Sequence, residues 1–169
     1  MKSKAYKFQV NYWGDDKSTK VQFSPLGSIP DDARVSSCMV FVLDGNKKLL
    51  MAKPKRGWGL PGGHMEPCET PEECCKREVF EETSVIIKNL RLIGAWKAEY
   101  VFESEYNKIY ENPSYQLLYI ADIDQIEEYR QQLEVSECEF IDVDDIEKYH
   151  HDFANFSEIM NYTLENYYG

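Results

Sequence analysis

The alternation of apolar and polar residues near the start of the chain predicts β-strands. Residues 6–13, "YKFQVNYW", alternate, and together with residues 19–23, "TKVQF", they predict a hairpin across the turn-forming "GDDKS". Residues 34–44, "RVSSCMVFVLD", and 47–53, "KKLLMAK", flank the turn "GN" and predict a second hairpin, with its first strand largely buried. We therefore expect residues 1–30 to contribute an N-terminal hairpin extension.

The apolar spacing becomes helical after a Gly/Pro-rich loop. Residues 70–84, "TPEECCKREVFEETS", begin with Thr70 as a good N-cap and Pro71 at the first helical position, and Glu73 completes a capping box. Residues 153–167 place apolar side chains along one helical face. That face comprises Phe153, Phe156, Ile159, Met160, Thr163, Leu164 and Tyr167.

The remaining segments predict further strands. Residues 85–102 and 114–123 have the composition of strands, and residues 139–149 predict a short strand that runs into a turn of helix. Strands interspersed with at least two helices indicate a mixed α/β class. Because the sequence has no internal repeat and no obvious linker, we interpret residues 1–169 as a single domain.

Charge and composition restrict the partners. Thirty acidic against nineteen basic residues give a net charge of −11, which opposes binding to nucleic acid or anionic membranes and suits a protein that gathers cations. The N-terminus lacks the apolar core of a signal peptide, and the longest apolar run, "CMVFVL", is too short to span a bilayer. Five cysteines without a C-x-x-C pair indicate reduced thiols. We expect a cytoplasmic protein with no membrane or nucleic-acid partner.

Three glutamates share one face of the helix predicted over residues 70–84. Glu78, Glu81 and Glu82 are spaced i, i+3 and i+4, and like charges at that spacing repel by roughly 0.2–0.5 kcal/mol per pair. They form either a solvated acidic face or a site for hard divalent cations. Gly62 and Gly63 favour the second interpretation, because they let the backbone turn sharply before the helix and offer carbonyl oxygens.

Residues 63–85, "GHMEPCETPEECCKREVFEETSV", resemble the Nudix box of the Nudix hydrolases, G-x5-E-x7-R-E-U-x-E-E-x-G-U, where U is aliphatic. The matching positions are Gly63, Glu69, Arg77, Glu78, Val79, Glu81, Glu82 and Val85. A chance match of the six Gly, Glu and Arg positions anywhere in this chain is on the order of 10⁻⁵.

One position departs from the box. Ser84 stands where the family has Gly, which would end the helix in a left-handed conformation. A residue with a side chain pays roughly 1 kcal/mol for that conformation. Either Ser84 accepts the strain or the helix ends differently.

The resemblance implies an α/β/α sandwich with a mixed β-sheet. It implies hydrolysis of a phosphoanhydride in a nucleoside diphosphate linked to another group, and hence a small nucleotide-derived substrate. Divalent ions, Mg²⁺ with Mn²⁺ as a substitute, would bridge the phosphate oxygens and activate water. Homodimers are frequent in the family.

The resemblance also assigns roles to residues of the box. Glu78, Glu81 and Glu82 would be metal ligands, with the Gly62 carbonyl as a further one. Glu78 or a later glutamate, Glu82 or Glu134, would accept the proton of the attacking water, and this choice stays open. The structural residues of the box would be Gly63, Glu69 and Arg77.

A further acid is expected ahead of the strand that includes Phe140. Glu134 precedes Phe140 by six residues, a spacing similar to that of a metal-binding glutamate in the family. The alternative is a loop carboxylate in water. The other acidic candidates are Glu105, Glu111 and Glu137.

The residues that contact substrate are less well specified. Lys53 and Arg56 belong to the clearest basic cluster near the box and are expected to hold substrate phosphates, the alternative being a solubilising loop. Several aromatic residues could stack on a base or belong to the core. These are Trp58, Trp96, Tyr100, Phe102 and Tyr106.

Rival functions share the same fold. A regulatory module could bind a nucleotide or sugar phosphate without turnover, but such a module need not keep a base and a full set of ligands. An isomerase acting on an isoprenoid diphosphate is a weaker alternative. Messenger-RNA decapping is opposed by the negative charge and the lack of a basic groove.

Overall fold

Strands form most of the regular secondary structure in this computed structural model, which describes residues 6–27, 29–130 and 134–168. In chain order the elements are β1 (Val10–Trp13), β2 (Thr19–Pro25), β3 (Val35–Val42), β4 (Lys48–Pro54), β5 (Gly62–His64), α1 (Pro71–Thr83), β6 (Val85–Tyr100), β7 (Ser114–Ile126), β8 (Val135–Asp142), a 3₁₀ helix (Val143–Lys148) and α2 (Phe153–Tyr167). Residues 1–5 and 28 of the predicted N-terminal extension lie outside the described residues.

The first two strands form the predicted N-terminal hairpin. β1 and β2 pair antiparallel, with Val10 opposite Gln22. β2 also pairs with β6, where Thr19 lies opposite Tyr100. The hairpin therefore adds two strands to one edge of the main sheet.

The second predicted hairpin is wrong in its pairing, although both of its strands exist. β3 pairs with β5 and β7, whereas β4 pairs with β8 in a separate sheet. The two predicted hairpin strands are joined by an isolated bridge between Leu43, directly after β3, and Leu49 of β4. Leu49, Leu50, Met51 and Ala52 are at most 1% exposed. A strand without a solvent face needs cover on both sides. β4 obtains this cover between two cores, one containing Leu50 and the other Leu49 and Met51.

The main sheet is mixed, and the two helices cover its opposite faces. Among the described strands the order is β1-β2-β6-β7-β3-β5, with β3 and β7 parallel. Successive side chains of β7 alternate between the faces. Leu117 and Tyr119 pack with Val79 of α1, whereas Leu118 packs with Phe156 of α2. This layering confirms the predicted α/β/α sandwich with a mixed sheet.

Local chemistry sets both ends of α1. Thr70 Oγ1 accepts from the Glu73 N–H at 3.3 Å, the Glu73 carboxylate accepts from the Thr70 N–H at 2.8 Å, and Pro71 is the first helical residue, as predicted. Ser84 ends the helix in the left-handed conformation, with φ 58° and ψ 23°, and its N–H donates to the Phe80 carbonyl at 2.8 Å. Of the two alternatives for Ser84, the strained one is therefore adopted.

α2 has the predicted apolar face. Phe156, Ile159 and Met160 are buried against the main sheet and β4, and Thr163 is buried as well. Within the ranges that the structure describes, no helix combines the length and the apolar character needed to cross a membrane.

Candidate active site

The acidic face of α1, formed by Glu78, Glu81 and Glu82, lies against Gly62 and Gly63 of β5. A Cβ built on Gly63 would lie 2.5 Å from Glu78 Oε1, so the lack of a side chain at this position lets the carboxylate approach the strand. The Gly62 N–H donates to Glu82 Oε2 at 2.9 Å. Glu81, on the same helix, has a side chain that is 54% exposed. The structure thus brings Glu78 close to Gly63 and Glu82 close to Gly62, whereas Glu81 is largely exposed.

Arg77 joins the loop before α1 to the helix. Its Nε donates to Glu69 Oε1 at 2.7 Å and its Nη2 to Glu69 Oε2 at 2.9 Å, which is a bidentate pair. Nη2 also donates to the His64 carbonyl at 3.0 Å. The hydrogen bonds from Arg77 lower the pKa of Glu69 from 4.5 to about 2. These contacts fit the structural role that the resemblance implies for the pair.

The same guanidinium also contacts the acidic face. Arg77 Nη1 donates to Glu78 Oε1 at 2.7 Å and to Glu81 Oε2 at 3.3 Å. Arg77 therefore offsets part of the repulsion between these two carboxylates. In the described part of the chain, no three His, Cys, Asp or Glu side chains are grouped closely enough to form a ready-made metal site.

Burial dominates the electrostatics of Glu82. It raises the pKa of this carboxyl from 4.5 to about 7, with the charges of Glu78 and Glu134 acting in the same direction and the charge of Arg56 opposing them. Burial also raises the pKa of Glu78. A nearby positive charge would therefore stabilise the ionised form of both carboxyl groups.

The donor chemistry at this edge fits a hard divalent cation such as Mg²⁺. Carboxylate and carbonyl oxygens are the ligands that such ions prefer, and a cation would offset the repulsion and burial of these carboxylates. The groups that would hold it are Glu78, Glu81, Glu82 and the Gly62 carbonyl.

Glu134 is exposed and stands directly before β8. Besides burial, which is the main cause, the charge of Glu134 contributes to raising the pKa of both Glu78 and Glu82. Glu137 is instead paired with Lys53 at 2.7 Å. The electrostatics therefore favours Glu134 over Glu137 as the further acid.

A cavity of about 1070 Å³ opens on the α2 face of the main sheet. Its walls come from the β1–β2 hairpin, the loop over residues 101–113, β5 and the start of α2. Gly62 and Gly63 also line the cavity, so the cavity and the acidic face of α1 meet at β5. The volume suits a ligand of nucleotide size or larger. Polar and aromatic residues on its walls include Asn11, Tyr12, Gln116, His151 and Asn155.

The two basic residues predicted to bind substrate lie in different places. Arg56 lines the cavity, and its charge opposes the larger effect of burial, which raises the pKa of Glu82. Lys53 Nζ lies 2.7 Å from Glu137 Oε1 and 5.6 Å from the centroid of the Trp58 ring. The structure favours Arg56 over Lys53 as a contact for a ligand in the cavity.

The aromatic residues considered for base stacking are distributed among the core, the cavity wall and the surface. Trp96 packs edge-to-face on Phe23, with ring centroids 5.1 Å apart, and also lines the cavity. Tyr100 and Tyr106 line the cavity as well, whereas Phe102 is 50% exposed. Core packing and access to a ligand are therefore combined in Trp96.

One pair on the cavity wall was not predicted. His64 Nε2 and Tyr110 Oη lie 2.9 Å apart, and the two rings are stacked with centroids 5.7 Å apart and planes 13° apart. Both residues line the cavity. Sequence spacing gives no signal for a contact between residues 46 positions apart. The one available indication is that His64 directly follows the glycine pair.

Known proteins resemble this chain in sequence. A family model described as NUDIX domain matches residues 33–160. The chain is 45% identical over 53 residues to the putative 8-oxo-dGTP diphosphatase YtkD of Bacillus subtilis (strain 168). That match covers 31% of this chain and 34% of YtkD, so the chain spans about a third of this curated relative.

Solved structures resemble it in fold. The Bacillus subtilis pyrophosphohydrolase BsRppH, solved as a mutant, is 27% identical with a TM-score of 0.58, over 72% of this chain and 70% of BsRppH. A NUDIX hydrolase from Nitrosomonas europaea is 19% identical with a TM-score of 0.58, over 78% of this chain and 88% of that protein. The second match shows likeness of fold alone.

Proposed function

The chain belongs to the NUDIX domain family, and from this premise we propose that it hydrolyses a phosphoanhydride bond in a nucleoside diphosphate linked to another group. One observation carries the proposal: Glu78 and Glu82 contact Gly63 and Gly62, and these glycines also line the large cavity. A nucleoside in the cavity would therefore extend its phosphates toward the carboxylates.

The carboxylates have two tasks in this proposal. Glu78, Glu81, Glu82 and Glu134, with the Gly62 carbonyl, would hold Mg²⁺, for which Mn²⁺ could substitute. When bound, the ion neutralises phosphate charge and lowers the pKa of a bound water. One carboxylate among Glu78, Glu82 and Glu134 accepts the proton of the attacking water. Glu69 and Arg77 keep the loop and helix in register.

The substrate is proposed to be a small nucleotide-derived molecule. Arg56 contacts its phosphates, and Lys53 could join only after leaving Glu137. Similarity to a putative 8-oxo-dGTP diphosphatase and to a pyrophosphohydrolase supports a diphosphate substrate. The net charge of −11 supports a substrate other than an extended nucleic acid. A cytoplasmic location and a homodimer complete the proposal.

A screen with and without Mg²⁺, in which the nucleoside mono- and diphosphate products are separated by chromatography, tests the function. The panel should contain oxidised nucleoside triphosphates, nucleotide sugars, dinucleoside polyphosphates and nucleotide coenzymes. We expect Mg²⁺-dependent turnover of at least one class by the wild type and at least about a hundredfold less by Glu82→Gln. Tight binding without product from any class would contradict hydrolysis and favour the regulatory module.

A further inference from the structure

β5 separates the cavity from the glutamates. Successive side chains of a strand point to opposite faces. The Cβ direction of Gly63 leads to the Glu78 carboxylate on the α1 face. His64 is next along the strand and lines the cavity, as does its cross-strand partner Ser37. Because β5 is the last strand of the main sheet as described, a ligand that extends from the cavity to the glutamates can pass along this edge, where His64 lies.

Both members of the His64–Tyr110 pair are held in place from behind. The His64 carbonyl accepts from Arg77 Nη2 at 3.0 Å, which ties this residue to the helix that carries the glutamates. The Tyr110 carbonyl accepts from Tyr100 Oη at 2.6 Å, and the Tyr110 N–H donates to the Asn107 carbonyl at 2.9 Å. Asn107 is itself 1% exposed. The two rings are thus positioned before any ligand arrives.

The pair can donate one hydrogen bond in either tautomer of the histidine. If Tyr110 Oη donates to Nε2, then Nδ1 of His64 carries the remaining hydrogen. If Nε2 donates to Oη, the Tyr110 hydroxyl hydrogen is free instead. In both cases the pair has one donor available on the cavity wall, whereas the carboxylates of Glu78 and Glu81 offer acceptors alone. Such a donor matches an oxygen of an anionic ligand.

We propose that His64 and Tyr110 bind the phosphate that links the nucleoside to the scissile phosphoanhydride. This inference rests on the proposed function, which places the nucleoside in the cavity and the reacting bond at the glutamates. Arg56 also lines the cavity and contributes positive charge. His64 and Tyr110 would therefore discriminate a nucleotide from a nucleoside, while the carboxylates perform the reaction.

Calorimetric binding at fixed Mg²⁺ tests the pair directly. The probes are the α,β-methylene analogues of ADP and GDP, whose bridge cannot be hydrolysed, and the matching nucleosides adenosine and guanosine. We expect His64→Ala to weaken binding of the better analogue by roughly tenfold, as for loss of one hydrogen bond to a charged group, and nucleoside binding by less than about twofold. Tyr110→Phe, which keeps the ring, should weaken analogue binding by roughly threefold to tenfold.

Further variants separate contact with phosphate from disturbance of the loop. Ile109 is 75% exposed on the same loop, and Ile109→Ala should bind both probes as the wild type does. His64→Gln keeps an amide donor and should recover part of the analogue affinity lost in His64→Ala. With a hydrolysed substrate, His64→Ala should raise KM by roughly tenfold and change kcat little.

The outcomes distinguish this inference from the proposed function. Turnover by the wild type, together with unchanged analogue binding in His64→Ala, would overturn the phosphate contact and leave the hydrolase standing. An equal loss of nucleoside and analogue affinity would also overturn it, since the residue would then shape the cavity as a whole. A wild type that neither binds nor hydrolyses any nucleotide would overturn both proposals.

Discussion

Glu69 and Arg77 are joined by two hydrogen bonds, 2.7 and 2.9 Å long, that connect the loop before α1 to the helix carrying the acidic face. Arg77 also contacts Glu78 and Glu81 through its other terminal nitrogen. The orientation of the acidic face therefore depends on a residue outside it. Stability and activity should be linked at Glu69.

Replacing Glu69 with Gln tests this link. The variant loses a charged acceptor to a largely buried guanidinium, so we expect the free energy of unfolding to fall by about 1.5–3 kcal/mol and activity to fall with it. Urea unfolding at pH 7 measures the first effect. Glu66→Gln is a matched control, because Glu66 is 66% exposed and 4.0 Å from Arg77 Nε. Equal unfolding midpoints for the two variants would contradict the bracing role.

Acid should weaken the fold through the same pair. The pKa of Glu69 is about 2 in the folded protein against an ordinary 4.5. The stabilisation is thus fully present above pH 4.5 and is lost as the pH falls from 4.5 toward 2. The difference in unfolding free energy between wild type and Glu69→Gln should shrink across this window. A difference that stays constant down to pH 2.5 would show that the carboxylate is not the group responsible.

Local interactions explain how much of the site could be predicted. The start of α1 depends on Thr70 and Glu73, and the acidic face depends on spacings of three and four residues. Both could therefore be predicted from residues that are close together in the sequence. The pairing of β4 with β8 places Leu50 opposite Phe140, ninety positions later in the sequence. This pairing depends on the burial of both faces of β4 in the folded chain. Periodicity cannot identify such a distant partner.

The cavity was beyond prediction for the same reason. Its walls are contributed by the N-terminal hairpin, a loop after β6 and the start of α2, which meet only in the folded chain. Arg56 could be singled out because it lies close to the box, yet Lys53, from the same cluster, turned toward Glu137. Proximity in sequence does not fix side-chain direction.

A side chain at Gly63 should displace the Glu78 carboxylate. In Gly63→Ala the new methyl would lie 2.5 Å from Glu78 Oε1, so the carboxylate must move. Because the end of a flexible side chain can move cheaply, we expect a marked loss of activity with a loss of at most about 1 kcal/mol in the free energy of unfolding. Gly45→Ala is the control, since its Cβ would meet nothing within 4 Å. Steady-state kinetics and urea unfolding measure the two effects, and wild-type activity in Gly63→Ala would argue against a role for this close approach.

Ser84, the left-handed residue at the end of α1, is a position where a substitution should increase the free energy of unfolding. Ser84 has φ 58°, where Gly is unstrained, so Ser84→Gly should stabilise the fold by roughly 0.5–1 kcal/mol. Thermal unfolding followed by circular dichroism measures the change. Ser84→Ala keeps the Cβ and should show no gain. A neutral or destabilising result for Ser84→Gly would mean that the Ser84 hydroxyl contributes more than the strain costs.

Metal should stabilise the fold through the acidic face. Ions that bind the folded protein alone raise its melting temperature, by an amount equivalent to about 2.7 kcal/mol at a hundred times the dissociation constant. Millimolar Mg²⁺ or Mn²⁺ should therefore raise the melting temperature of the wild type. Calorimetry on the wild type and Glu82→Gln provides the comparison, and the absence of any metal-dependent shift in both would count heavily against a metal site.

Glu82→Gln should have opposite effects on stability and on catalysis. Burial raises the pKa of Glu82 to about 7, so at pH 8 without metal the wild type holds a destabilising charge that the variant lacks. The amide oxygen can still accept from the Gly62 N–H, which now binds Oε2 at 2.9 Å. We expect the variant to melt at or above the wild-type temperature without metal, to respond less to Mg²⁺, and to lose at least about a hundredfold in kcat with a modest change in KM. Melting scans at pH 8 and steady-state kinetics on the same preparations measure both effects. Wild-type kcat in a folded Glu82→Gln would remove Glu82 from the catalytic centre.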